Sequence, residues 1–486
     1  MSLFVRKSME SLMTQAGDSD KGLKRTLGPV NLVALGIGAI IGAGLFVRTA
    51  AAAGDAAGPA VVISFIVAAV GCAFAGLCYA EFAAMIPVAG SAYTYAYATM
   101  GEFMAWIIGW ALVLEYALAA ATVGVAWSEY LNNLLASLNM GAIPYQWIHS
   151  PFEVSADGVR GVMNVPAFFI IAFLSMVLIK GTQESALLNA AIVVVKVTIV
   201  LIFIAIGWGF INSNNYIPFT IPEGTPNHEG FFQHGWGGIL KGAGIVFFAF
   251  IGFDAVSTAA QESKNPKRDM PIGILGSLVI CTILYVLFSH VLTGVANWKD
   301  FQVAGKEASV AFAIQHYMPG YGWLATLITV AILAGFSSVI LVMLLGQSRV
   351  FYSMAKDGLI PPVFAQLHSK FRTPYKSNLI LLLFVGSFSA FIPGSVAGDL
   401  TSIGTLFAFV LVCAGIWLLR RKSPDMVRPF KTPWVPFVPI MGMLVCSAMI
   451  ISLDRITQLA AFGWMLIGLV VYFMYSSKHS HLRNPK

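Results

Sequence analysis

The chain has 486 residues, of which 58% are hydrophobic and only 10% charged, with a net charge of +7. A soluble domain carries about 25% charge, so a soluble fold is excluded and a polytopic membrane protein is expected. The five cysteines, Cys72, Cys78, Cys281, Cys413 and Cys446, lie in apolar runs without CxxC spacing and read as packing residues, neither disulfides nor metal ligands.

The first 26 residues are polar and basic with no apolar core, so no cleaved signal peptide is expected. A helix needs about 20 apolar residues to cross a bilayer. Such runs fall at 30–53, 59–85, 102–136, 164–181, 185–211, 237–260, 270–296, 320–356, 376–393, 397–421, 433–451 and 457–476, which is twelve spans. An even number puts both termini on one side. Of the 29 Lys and Arg, 22 fall on the terminal side and six on the other, with Lys196 inside a span. By the positive-inside rule the termini are cytoplasmic and the protein belongs in the cell (inner) membrane, in contact with lipid. The net charge is therefore topology and gives no reason to expect nucleic acid.

The first run carries GIGAIIGAGLFV (36–47), although glycine costs a helix about 1 kcal/mol against alanine. Gly38 and Gly42 form a GxxxG pair, which is one explanation: close helix packing. The sixth run carries FFAFIGFDAVST (247–258), again with a mid-helix glycine and an acid beside it. Interrupted helices at corresponding places in two halves point instead to the binding site of a transporter built from inverted repeats. The expected architecture is all-α integral membrane, with a 5+5 inverted repeat, breaks in spans 1 and 6, and two C-terminal helices appended. Its segments are a cytoplasmic stretch 1–27, a first repeat 28–213, a second repeat 214–422, spans 11 and 12 in 423–477, and a tail 478–486.

An unwound helix at mid-membrane exposes backbone groups, tolerable only where they line a cavity or bind something. A half-helix N-terminus attracts a carboxylate, and the opposite half-helix end offers carbonyls suited to an ammonium. The α-amino acids carry both groups a few ångströms apart. Lys196, within AIVVVKVTIV, is a charge at mid-span and hence a functional candidate, the alternative being a structural ion pair with a carboxylate. Glu115, deep in span 3, has three open roles: partner of a cationic substrate side chain, proton relay, or member of a buried polar network. Asp254 is read as the cap of the second half of span 6, and Glu81 as part of a solvated cytoplasmic rim, with gating salt bridges the alternative.

Three loop motifs, IPVAGSAYTYAYATMGE (86–102), QESKNPKRDMPIGI (261–274) and SRVFYSMAKDGLIP (348–361), resemble the amino acid–polyamine–organocation (APC) superfamily. Within it, VALGIGAIIGAGLFV, LVLEYALA (112–119), FFAFIGFDAVST and VRPFKTPWVPFVPI are similar to the cationic amino acid transporter subfamily and its bacterial relatives. Animal members have fourteen spans where this chain has twelve, so substrate choice is not carried over. The resemblance implies an alternating-access transporter of L-amino acids. The carboxylate would meet backbone donors at Gly42, Ala43 and Gly44, and the ammonium carbonyls of Ile40, Phe248, Ala249 and Ile251. Phe248 falls where relatives keep an aromatic that closes over substrate, and Met343 at a pocket-lining position. Lys196 resembles the coupling group of proton-driven members, set against span 1 carbonyls and the hydroxyls of Ser337 and Ser338.

The expected function is proton symport of an L-amino acid, with alanine-sized and cationic side chains leading. Exchange of two amino acids, or of an amino acid for a polyamine, is the alternative, and a nutrient sensor or channel on the same fold the remote one. No GxSxG, metal-ligand cluster or Walker motif occurs, so neither an enzyme nor a bound cofactor or metal is expected. Protein partners are not readable.

Overall fold

Pro29, pre-organised for a first helical turn, starts α1 (Pro29–Ile40), whose apolar run stops where the glycines begin. The computed structural model describes residues 5–8, 27–42, 44–86, 88, 91–180, 185–226, 228, 230–260, 263–303, 309–369, 371 and 373–483. Among these it is all-helical, apart from two isolated β-bridges, Leu27 with Ser263 and Val154 with Arg160. After α1 come α2 (Val61–Met85), α3 (Ser91–Thr99), α4 (Glu102–Ser137), α5 (Val165–Lys180) and α6 (Ser185–Gly207). The second half holds α7 (Gly235–Val246), α8 (Pro266–Val295), α9 (Gly322–Lys356), α10 (Tyr375–Phe391) and α11 (Gly394–Lys422), followed by α12 (Phe437–Ser452) and α13 (Arg455–Val471).

Among the described residues, eight helical stretches are long and apolar enough to cross a membrane, and four more apolar helices are shorter: α1, α5, α10 and α12. Large apolar side chains such as Phe169, Val194, Ile283, Leu459 and Phe462 point outward, as a lipid-facing surface requires. The chain is a multi-pass membrane protein. The first apolar run is not one helix: it divides at Ile41–Gly42, and its second part runs from Gly44 into α2 as one 42-residue helical stretch.

Counted as membrane spans, with the short α3 left out, helices five apart pack on each other, α2 on α8, α4 on α9 and α5 on α10, while α11 lies along α4. Tryptophans fasten α13 to α4. Trp110 and Trp464 stack at 4.7 Å, and each indole N–H donates to the other's carbonyl, at 2.8 and 3.2 Å. The stretch Gly235–Thr258 is 94% buried in its most apolar part, against 22% for Arg455–His479. The sixth run is thus central and the last peripheral.

On the face carrying both termini, Glu81 is wholly buried, contrary to the solvated rim expected for it. Its carboxylate accepts from Arg420 (2.9 and 2.8 Å) and the Thr432 N–H (2.7 Å) and pairs with Arg428 (3.1 Å). A buried carboxylate holds its charge only with such partners. Nearby, Glu102 accepts from Tyr97, Tyr472 and Ser480 and pairs with Arg483, tying the C-terminal tail to α3 and α4.

Candidate functional site

Both interruptions are visible in the backbone. Beyond α1, Ile41 is extended (φ −73°, ψ 105°), and the Gly42 carbonyl accepts from the Leu45 and Phe46 N–H groups, opening the outer segment Gly44–Arg48. In the sixth run α7 tightens into a 3₁₀ turn, Phe247–Phe250, then Ile251 is extended (ψ 133°) and the chain re-enters a short helix, Ala255–Thr258. Gly252 links the two at φ +115°, where a side chain is strained, and it lies against the Ala39 backbone. Gly44 meets Ala249 so closely that a methyl on Gly44 would overlap Ala249's backbone. The two breaks therefore touch, main chain to main chain.

A broken helix leaves carbonyls that need donors. Lys196 Nζ, on α6, donates to the carbonyls of Gly38 (2.7 Å) and Ile41 (2.8 Å). Its stem lies on Gly335 of α9, where a Cβ would stand 2.9 Å from Lys196 Cε. Lys196 is 1% exposed, and among the described residues no carboxylate pairs with it. The Tyr285 hydroxyl, on α8, lies 2.9 Å from both the Ile40 and the Ala249 carbonyl, spanning the two breaks. A lysine and a tyrosine from two other helices thus serve four backbone oxygens.

Of the other residues singled out in the sequence, Ile40, Gly42, Gly44, Phe248, Ala249 and Ile251 are buried at the breaks. Met343 is buried on α9. Ala43 lies outside the described residues. The Ser337 hydroxyl donates to the Leu333 carbonyl of its own helix (2.9 Å), while Ser338 is buried one residue on. Glu115 is wholly buried and interacts with Asp254 and Thr405, and neither of its oxygens accepts a hydrogen bond among the described residues. Asp254 sits at the N-cap of Ala255–Thr258 but makes no side-chain capping bond. Its Oδ2 accepts from the Tyr116 hydroxyl (2.7 Å) and its Oδ1 has no partner. The capping role expected for it gives way to a buried polar cluster with Glu115 and Tyr116.

Two features escaped the sequence. Tyr285 stands in CTILYVLF, a mid-span polar group whose position was itself a signal. Arg48 is buried beyond the first break and paired with Asp399 of α11.

Residues 27–479 match the amino acid permease family. The chain belongs to that family. The permease is 44% identical to the branched-chain amino acid permease BcaP of Bacillus subtilis (strain 168), over 99% of both chains. It is 38% identical to the methylthioribose transporter of the same organism, again over 99% of both. With the mouse cationic amino acid transporter 4 it shares 32% identity over 88% of this chain and 66% of that protein. These relatives are transporters and not enzymes, and the family implies an amino acid substrate for this permease.

Proposed function

We propose that this permease imports L-amino acids together with protons by alternating access, as a twelve-span protein of the cell membrane with cytoplasmic termini. One observation carries the coupling: Lys196, a buried amine with no carboxylate partner among the described residues, bonded to the Gly38 and Ile41 carbonyls at the first break. A cation there ties α6 to the inner half of the break, and a neutral amine holds it less strongly, because charge-assisted hydrogen bonds are about twice as strong as neutral ones. Gain and loss of one proton at Lys196 then changes how firmly the broken helix is held, in the place where a ligand meets it. The paired breaks and the packing of helices five apart support the inverted-repeat reading.

The substrate carboxylate is assigned to the N–H groups opening the outer segment at Gly42, Ala43 and Gly44, and the ammonium to the carbonyls of Ile40, Phe248, Ala249 and Ile251. Neutral aliphatic side chains are the leading class, supported by full-length similarity to a branched-chain amino acid permease and by the buried apolar Phe248 and Met343. A second reading, cationic side chains, is favoured by the buried Glu115 and Asp254, three of whose oxygens, both on Glu115 and Oδ1 of Asp254, accept no hydrogen bond among the described residues.

The test is uptake of labelled leucine, alanine and arginine into proteoliposomes, with and without an inward proton gradient, and with empty or amino-acid-loaded lumens. Uphill, gradient-dependent uptake into empty vesicles is the expected result, with leucine preferred. Uptake confined to loaded vesicles and indifferent to pH overturns symport in favour of exchange. Preference for arginine decides for the second reading.

A further inference from the structure

Tyr285 is wholly buried, and its ring is pinned between Phe65 (5.5 Å) and Phe250 (5.3 Å). That packing fixes its hydroxyl at 2.9 Å from two carbonyls belonging to two different broken helices, Ile40 and Ala249. A hydroxyl has a single proton, so it satisfies one of these oxygens well and the other poorly. An ammonium has three protons and a charge, and so can serve both oxygens with stronger bonds. The same two carbonyls belong to the seat assigned above to the substrate ammonium.

We propose that Tyr285 is the placeholder of the empty permease: its hydroxyl holds the Ile40 and Ala249 carbonyls between transport events and yields them to the α-ammonium of the substrate. This rests on the amino acid seat of the previous section. Buried carbonyls left without a donor are costly, and Tyr285 removes that cost only when the seat is empty. It therefore competes with substrate while stabilising the unloaded protein. The distinction matters because a symporter must return empty to the other side, whereas an exchanger returns loaded.

Tyr285→Phe keeps the ring and removes the donor. Wild type and variant would be compared in proteoliposomes with labelled L-leucine, for equilibrium binding, for exchange into leucine-loaded vesicles, and for net uptake into empty vesicles under a proton gradient. The expected pattern is opposed changes: binding tightened by about fivefold, net uptake slowed by about fivefold or more, and exchange slowed less than net uptake. A monodisperse elution profile matching wild type establishes that the variant is folded. Weaker binding with equal losses of exchange and net uptake would overturn the proposal and make Tyr285 a fixed support of the seat. Three unchanged readings would overturn it as well. A variant that cannot be purified would leave Tyr285→His, which retains a ring N–H donor, and wild-type behaviour in it is then the expected result, with the losses above overturning the proposal. The amino acid seat is tested separately in the wild type: N-acetyl-leucine, which lacks the ammonium, should fail to compete with leucine, and equal competition would overturn the seat itself.

Discussion

Replacing Lys196 tests the proposed coupling step apart from the rest of the site. Lys196→Met keeps most of the stem on Gly335 and removes both hydrogen bonds, leaving the Gly38 and Ile41 carbonyls without their donor at a position only 1% exposed. Each orphaned buried group costs about 1–3 kcal/mol, so the inner side of the first break loses about 2–6 kcal/mol before any rearrangement. Lys196→Arg keeps donors and charge but cannot lose its proton in a protein. The driving force sets the readout. A pH gradient of one unit stores about 1.4 kcal/mol per proton, equal to a tenfold substrate ratio at one proton per substrate. In proteoliposomes held at that gradient, wild type is expected to approach a tenfold steady-state accumulation of its amino acid. Both variants are expected to stop at a ratio of one, with Lys196→Arg exchanging substrate at a rate closer to wild type than Lys196→Met. Tenfold accumulation by Lys196→Arg would refute the assignment of the proton to this amine, whatever happens to the rate.

Three further outcomes follow from contacts at and around the breaks. Gly44→Ala forces a methyl into the Ala249 backbone and is expected to abolish transport, read as initial uptake rate; a rate within twofold of wild type would mean that the two breaks are not held together as described. Glu115→Gln replaces one of two facing buried carboxyls by an amide able to donate to the free Oδ1 of Asp254. It should raise thermal stability, by about 1–2 kcal/mol for one new hydrogen bond, and a lowered melting temperature would count against the cluster. Asp399→Asn strips the partner from Arg48, a side chain 7% exposed, at a cost of about 3 kcal/mol, reduced because Asp399 keeps 19% exposure. Thr122 lies with Arg48 around Gly398, so in this variant Thr122→Cys should be labelled severalfold faster by an impermeant thiol reagent; unchanged labelling would show that the Arg48–Asp399 pair does not shield Thr122.

The helices were legible because lipid leaves little freedom: runs expected at 270–296 and 320–356 appear as Pro266–Val295 and Gly322–Lys356. The capping at the start of the former, where Asp269 accepts the Asn265 N–H at 3.1 Å, lies in the loop motif rather than the apolar run, which is why its first turn was missed. The breaks were legible through glycine, and Lys196 through the energetic cost of a lone mid-span charge. Partners were not legible. Arg48 and Asp399 are 351 residues apart, and Glu81 meets Arg420 only across 339, so composition of a local stretch says nothing of either pair. Tyr285 was hidden for another reason: it is one of 15 tyrosines, and what it binds is main chain, which has no letter in the sequence.

That last point bears on how one scaffold serves different cargo. The residues that touch at the centre do so through backbone, at Gly44 and Ala249, and the donors that reach those breaks, Lys196 and Tyr285, bond to backbone oxygens. In the site proposed above, side chains such as Phe248 and Met343 would then vary the fit of the cargo without dismantling the seat. Two relatives at 44% and 38% identity over the whole chain are named for different cargo, branched-chain amino acids and methylthioribose. A site whose fixed part is main chain, and whose variable part is a few apolar side chains, is the kind of site on which that divergence needs few substitutions.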